Sequence, residues 1–224
     1  MPRSMLVYQE VPEEGPGPTV IGLHRGGGDL DQLLPLAEAI GAVRLVAPQA
    51  ARPVTPATQG TSGSPGGFTW FFIQELGYPE PATFGEGLWM VEQFIYDVRD
   101  RRGADQPMFL LGFEQGGVLS ATLAGVVPDV LTGVVAISGY LPHIPGWSPP
   151  VEDLKGFPVL LIHDQTESQT LGSLIEETAR EFARRHATVE QQHVEGVSRN
   201  PVLAADLVRT WLHSQQRAGG VLGG

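Results

Sequence analysis

The chain has no cysteine. That excludes a disulfide scaffold, a thiolate nucleophile and a cysteine-ligated metal. Basic residues are few: 14, with Lys155 the only lysine, against 25 acidic ones, for a formal net charge of −11. Such a surface repels phosphate backbones and anionic membranes, so neither a nucleic-acid nor a membrane partner is expected. No uninterrupted apolar run is long enough to span a bilayer, and "MPRSMLVYQE" lacks the apolar stretch of a signal peptide. The expected location is cytoplasmic. What is present is 224 residues with 42% hydrophobic and 17% charged content, a composition that folds and can bury a sizeable core in one domain.

Short apolar runs alternate with helical spacings. Strands are expected at Met5–Gln9 (an edge), Pro18–His24, Val43–Pro48, Met108–Leu111, Leu131–Ser138, Phe157–His163 and Thr188–Val194. Helices are expected from Asp29 or Asp31 to Ile40, over Glu86–Arg102, from the turn at Glu114 to about Ala124, and over Thr170–His186 and Pro201–Gln215. Strands alternating with helices imply the α/β class, a mostly parallel central sheet with helices on both faces. The Pro/Thr/Ser/Gly-rich segment 51–67 is expected to be a flexible loop and the glycine-rich tail 218–224 to fray, within a single domain 1–224. The aromatic cluster "FTWFF" follows the loop and is read as core packing for some rings and a pocket wall for others. "HIPGWSPP", His143 to Pro150, is read first as a proline-stiffened connection and second as a cover for the cleft carrying Trp147.

In such sheets ligands bind beyond the carboxyl ends of the strands. There "FLLGFEQGG" reads as a buried strand, a tight glycine-flanked turn and a helix, the way a hydrolase presents a nucleophilic serine. Gly112 and Gly116 keep the flanks, but the central residue is Glu114.

The sequence resembles the phospholipase/carboxylesterase family of α/β-hydrolases, which includes the acyl-protein thioesterases. "LHRGGGD", Leu23 to Asp29, parallels that family's Leu-His-Gly-x-Gly-Gly-Asp. Gly112-Phe113-Glu114-Gln115-Gly116 parallels its Gly-Phe-Ser-Gln-Gly. Ser138-Gly139-Tyr140-Leu141-Pro142 matches its Ser-Gly-Tyr-Leu-Pro, and Trp70-Phe71 its Trp-Phe pair. The resemblance implies an α/β-hydrolase fold, an oxyanion hole from the amides of Gly26 and Gln115, a pocket bordered by His24, Arg25, Trp70 and Phe71, and catalytic positions at Glu114 and Glu167. No cofactor and no metal are implied.

Two triad positions depart from the family. Glu114 stands at the nucleophile, and the Gly-His pair of the base reads Gly196-Val197. Glu167 at the acid is tolerable, since glutamate can orient a histidine. The reading is a degenerate triad, inactive as a serine esterase, with a retained pocket for a small apolar or acyl-like ligand. One alternative is an active hydrolase with Glu114 as nucleophile or base, supported by Glu167 or His24. Another is a non-catalytic interaction protein. A homodimer is compatible with either. In an inactive site the Glu114 carboxylate is expected to fold into the oxyanion hole or pair with Arg25. His193 is read as a strand histidine rather than a base.

Overall fold

The computed structural model describes residues 5–11, 17–55, 66–103 and 105–221, with the backbone alone for 218–221. Most of loop 51–67 (residues 56–65) and the last three residues of the tail lie outside that range. The backbone is helical as far as Val221.

Seven strands form the central sheet: β1 (Tyr8–Val11), β2 (Thr19–Leu23), β3 (Arg44–Pro48), β8 (Met108–Phe113), β9 (Gly133–Ile137), β10 (Pro158–His163) and β11 (Thr188–His193). Their spatial order is β1-β3-β2-β8-β9-β10-β11. Only the edge strand β1 is antiparallel; every other pairing is parallel. Two small ladders stand apart, β4 (Arg52–Pro53) with β5 (Phe68–Thr69) and β6 (Ile73–Glu75) with β7 (Tyr78–Pro79).

The central strands are buried on both faces, and their alternate residues serve two cores. Ile21, Leu23, Leu110, Val134, Val159 and Leu161 pack on one side. They meet α2 (Pro81–Arg102) through Val91, Phe94 and Ile95, α3 (Gln115–Ala124) through Val118 and Leu119, and α4 (Gln169–Arg184) through Ile175 and Phe182. Val20, Leu45, Phe109, Leu111, Val135 and Ile162 point to the other side. There they meet α1 (Leu34–Ile40) and α5 (Ala205–Val221) through Leu36, Ile40, Val208 and Trp211. Helices thus cover both faces, as the strand–helix alternation predicts.

Element ends differ from the sequence expectation in traceable ways. The first and last helices open as 3-10 turns, Leu30–Leu33 behind the Asp29 cap and Pro201–Ala204 behind Asn200. The edge strand lies further along than Met5–Gln9. α2 begins at Pro81 because the Glu80 carboxylate accepts the N–H groups of Ala82 and Thr83. Gly85 and Gly87 interrupt its apolar pattern, and Gly87 is needed where it stands: a β-carbon there would lie 2.6 Å from the Trp70 carbonyl oxygen.

The order reverses at β2, whose successor β3 lies on one side and β8 on the other. The loops leaving β2 and β8 therefore diverge and open a crevice between them. No helix among the described residues is long and apolar enough to cross a membrane.

Candidate active site

The turn from β8 into α3 is built by glycine. A β-carbon at Gly112 would sit 2.0 Å from the Gly116 carbonyl oxygen, and one at Gly116 would sit 2.1 Å from that of Leu23. Gly139 and Gly117 are confined as well: a β-carbon at Gly139 would lie 2.4 Å from the Gly117 carbonyl carbon, and one at Gly117 2.8 Å from the Ile137 oxygen. Four side-chain-free positions let α3 press against the ends of β2 and β9. Glu114 occupies the apex at φ 48°, ψ −109°, a conformation that costs a non-glycine residue about 1–2 kcal/mol. Backbone bonds fix it from both sides, Glu114 N–H to the Ile137 oxygen (2.9 Å) and Val118 N–H to the Glu114 oxygen (2.9 Å). The elbow geometry expected from Gly112 and Gly116 is present, with a carboxylate at its tip.

Gln115 ties this elbow to the aromatic segment. Its side-chain oxygen accepts from Thr69 Oγ1 (2.9 Å) and Trp70 N–H (3.1 Å), and its amide nitrogen donates to the Phe71 oxygen (3.0 Å). Gly26 lies against the same side chain; a β-carbon there would be 2.7 Å from Gln115 Cδ. The two residues matched to the oxyanion hole are thus brought into contact.

The expected pocket residues are distributed differently. Trp70 and Phe71 are core, 1% and 2% exposed; the tight Gln115 bonding draws the segment inward. His24 is equally buried. Its Nδ1 donates to the Arg25 oxygen (2.7 Å) and its Nε2 accepts the Ala50 N–H (3.1 Å). Burial pushes its pKa down to about 4, so the ring is neutral and fully engaged in tethering the loop after β3. Of the four, only Arg25 remains at the crevice, half-buried, and its Nε has no hydrogen-bond partner among the described residues.

The Glu114 carboxylate makes no capping bond to α3. Among the described residues it has neither a hydrogen bond nor an ion pair within 4.0 Å, so the expected insertion into the oxyanion hole or contact with Arg25 does not occur. Its pKa is raised, by burial first; Arg25 opposes that shift from a distance and Glu167 reinforces it. Glu167, at the acid position, meets no imidazole. It accepts a short hydrogen bond from Ser138 Oγ, at the end of β9, and its Oε2 is buried without a partner. Burial raises its pKa as well.

The position matched by sequence to the family's base is packed away. Val197 is 0% exposed and belongs to the core beneath the sheet, with Ala204 and Val208. The turn carrying it is held by Asp164, whose Oδ2 accepts from Gly196 N–H (2.8 Å) and Ser198 Oγ (2.9 Å), while Oδ1 accepts from Thr166 N–H (2.9 Å). These bonds, that of Thr166 foremost, bring the Asp164 pKa down to about 2. Sequence reasoning gave Asp164, Ser138 and Ser198 no such roles. The only signal was polar residues recurring just after the ends of β9, β10 and β11.

All six histidines of the chain can be placed, none of them on Glu114 or Glu167. His24 is structural. His143 stacks on Tyr78 and faces Glu177 at 3.7 Å. His163 and His193, adjacent in register, have ring centroids 3.9 Å apart. His186 pairs with Asp153, and His213 is exposed on α5. No group of three or more metal-ligating side chains converges among the described residues.

A model of the phospholipase/carboxylesterase family matches residues 10–202. The chain belongs to that family. Solved structures with the same fold include a carboxylesterase from Mesorhizobium loti (22% identity, 93% of this chain and 94% of that one, TM-score 0.76). A Bacillus cereus carboxylesterase matches at 15% identity over 95% of both chains, TM-score 0.76. A phospholipase/carboxylesterase from Dyadobacter fermentans matches at 18% identity over 95% and 98%, TM-score 0.68. At such identities the likeness fixes the fold and nothing finer. No curated protein sequence matches the chain significantly.

Proposed function

We propose that this phospholipase/carboxylesterase-family chain has a degenerate triad, does not hydrolyse esters by the serine route, and uses the crevice to bind a small apolar or acyl-like ligand. The observation that carries this reading is the apex of the elbow: a strained, glycine-enclosed turn holding a carboxylate with no imidazole bonded to it or to Glu167. A hydroxyl attacks a carbonyl only when a neighbouring base takes its proton. Without nucleophile and base, only the oxyanion hole and binding remain, worth roughly 10³–10⁴-fold over water. The ligand half of the reading is supported by the half-buried Arg25, whose charge reaches Glu114 and whose Nε, like Glu167 Oε2, has no hydrogen-bond partner among the described residues.

One observation favours a second reading. Burial raises the pKa of both Glu114 and Glu167, and the Glu167 charge adds to the shift at Glu114, the kind of perturbation found at proton-transferring acid pairs. An active hydrolase rewired around Glu114 would draw on that pair. His24 does not support it, since both ring nitrogens are engaged elsewhere.

One assay separates the two. Purified protein is incubated with p-nitrophenyl acetate and butyrate beside Glu114→Ala. The first reading predicts that nitrophenol release is the same for both proteins. Turnover by the unaltered chain that disappears in Glu114→Ala overturns it and establishes the rewired hydrolase.

A further inference from the structure

The connection after β9 separates two surface grooves, neither lined by Glu114. One, of about 520 Å³, carries cations, among them Arg180 and Arg184. The other, of about 450 Å³, is walled by Phe84, Leu88, Trp89, Ile144 and Trp147, and its single charged lining residue among those described is Glu92.

This second groove holds the two tryptophans that folding leaves in water. Trp70 and Trp211 are buried, whereas Trp89 is 56% exposed and Trp147 40%. A tryptophan side chain can bury roughly 150–250 Å²; about half of that is still open on each of these two, and together they border one depression, a patch of the kind that marks a binding site. Both are rigidly mounted. Trp89 projects from the 22-residue helix α2. Trp147 closes a tight turn in which its N–H bonds the Ile144 oxygen at 3.1 Å and Gly146 takes φ 75°. The floor residues Phe84 and Leu88 belong to the main core, so binding needs little ordering of the wall.

Charge selects the occupant. Glu92 follows Trp89 by three residues and Leu88 by four, on the same face of α2. It is half-buried and has no ion-pair partner among the described residues. Its field is felt nearby: after burial, Glu92 and then Asp129 push the Tyr96 hydroxyl up. The arginines of the neighbouring groove do not line this one. A neutral occupant would leave the carboxylate covered and unpaired, which is costly, and an anion would be repelled. A cation is attracted both by the carboxylate and by the faces of tryptophan rings.

We propose that this groove binds a small organic cation with an apolar body, an alkyl- or arylammonium, whose body lies on Leu88 and Ile144 and whose ammonium group sits against Trp89, Trp147 and Glu92. The site is separate from the elbow and does not depend on the reading of Glu114.

The test uses the full chain and three probes with the same six-carbon body: hexyltrimethylammonium, 1-hexanol and hexanoate. Tryptophan fluorescence, to which the exposed rings respond directly, follows the titration. Saturable binding of the ammonium probe is expected, about tenfold tighter than the alcohol and tighter still than the carboxylate. Glu92→Gln, which keeps size and removes charge, should bring the ammonium probe to within about twofold of the alcohol. Trp89→Leu, which keeps apolar area and removes the ring, should weaken it about three- to tenfold. Absence of saturation, equal affinity for the three probes, or an ammonium affinity unmoved by Glu92→Gln overturns the proposal. So does a signal that persists in Glu92→Gln and vanishes in Glu114→Gln, which would move the cation to the elbow.

Discussion

The turns after β8 and after β11 stand at the same end of the sheet, and in the family's triad each carries a catalytic group. On the proposed reading neither turn carries that group, and the two differ in what surrounds the position. At the first, the backbone is intact: glycines at 112, 116, 117 and 139 still make room for the strained apex, and only the side chain at 114 differs. At the second, the position has passed into the core. Val197 is sealed beneath the sheet, and the turn's polar contacts run from Gly196 and Ser198 to Asp164. The first is a side chain on a glycine-built frame; the second is a side chain packed into the core. The elbow frame persists because α3 and β2 approach too closely for anything larger, whether or not a serine stands at its tip. The turn after β11 is less tightly enclosed: a β-carbon at Gly196 would meet nothing nearer than Leu203 Cδ1, at 3.1 Å.

That contrast can be broken or sharpened by substitution. The largest effect is expected at the frame. Gly116→Val places side-chain atoms into the Leu23 carbonyl and should cost about 3 kcal/mol or more, read as loss of the cooperative thermal transition or of soluble protein. Next is Val197→His, which buries an imidazole among Ala204 and Val208 and should destabilise by about 2–4 kcal/mol in urea unfolding. A neutral outcome would mean the base turn is as ready for its histidine as the elbow is for its serine, and the contrast would fail.

The Asp164 staple gives a pH signature. Its folded pKa of about 2 lies below the ordinary 3.8. Its contribution is therefore complete above about pH 4 and is lost as pH falls toward 2. In Asp164→Asn the melting temperature should be lower near neutrality, and the gap should close over that acid range. The smallest effect is expected at Glu114, with the opposite sign. Burial raises its folded pKa, so the ionised form disfavours the fold and stability is gained as pH drops through the raised value. Glu114→Gln should raise the melting temperature at neutral pH by roughly 1–3 °C and lose that advantage in acid.

Much of the fold was legible in the sequence because β2, β8, β9 and β10 are buried on both faces and read as unbroken apolar runs. The elbow was legible for a steric reason, glycines at fixed offsets after such a run. Element ends were less so. The start of α2 is set by a side-chain cap at Glu80, and Gly87, which looks like a breaker, answers the approach of Trp70. At the site, the sequence picked out positions but not their partners. Nothing local shows that Gln115 binds the segment 69–71, that Ser138 occupies Glu167, or that Asp164 reaches residues more than thirty positions away. Those contacts follow from strand register and sheet order. His24 and Trp70, expected at the pocket, were drawn inward by hydrogen bonds of the same non-local kind.

The central claim is that the elbow keeps its shape but has no base to activate a nucleophile. Its most direct test restores the hydroxyl alone: the Glu114→Ser variant is incubated with a fluorophosphonate and its intact mass is measured. The account predicts a folded protein of unchanged mass, because a hydroxyl with no imidazole beside it does not displace fluoride. Stoichiometric phosphonylation at position 114 would contradict it.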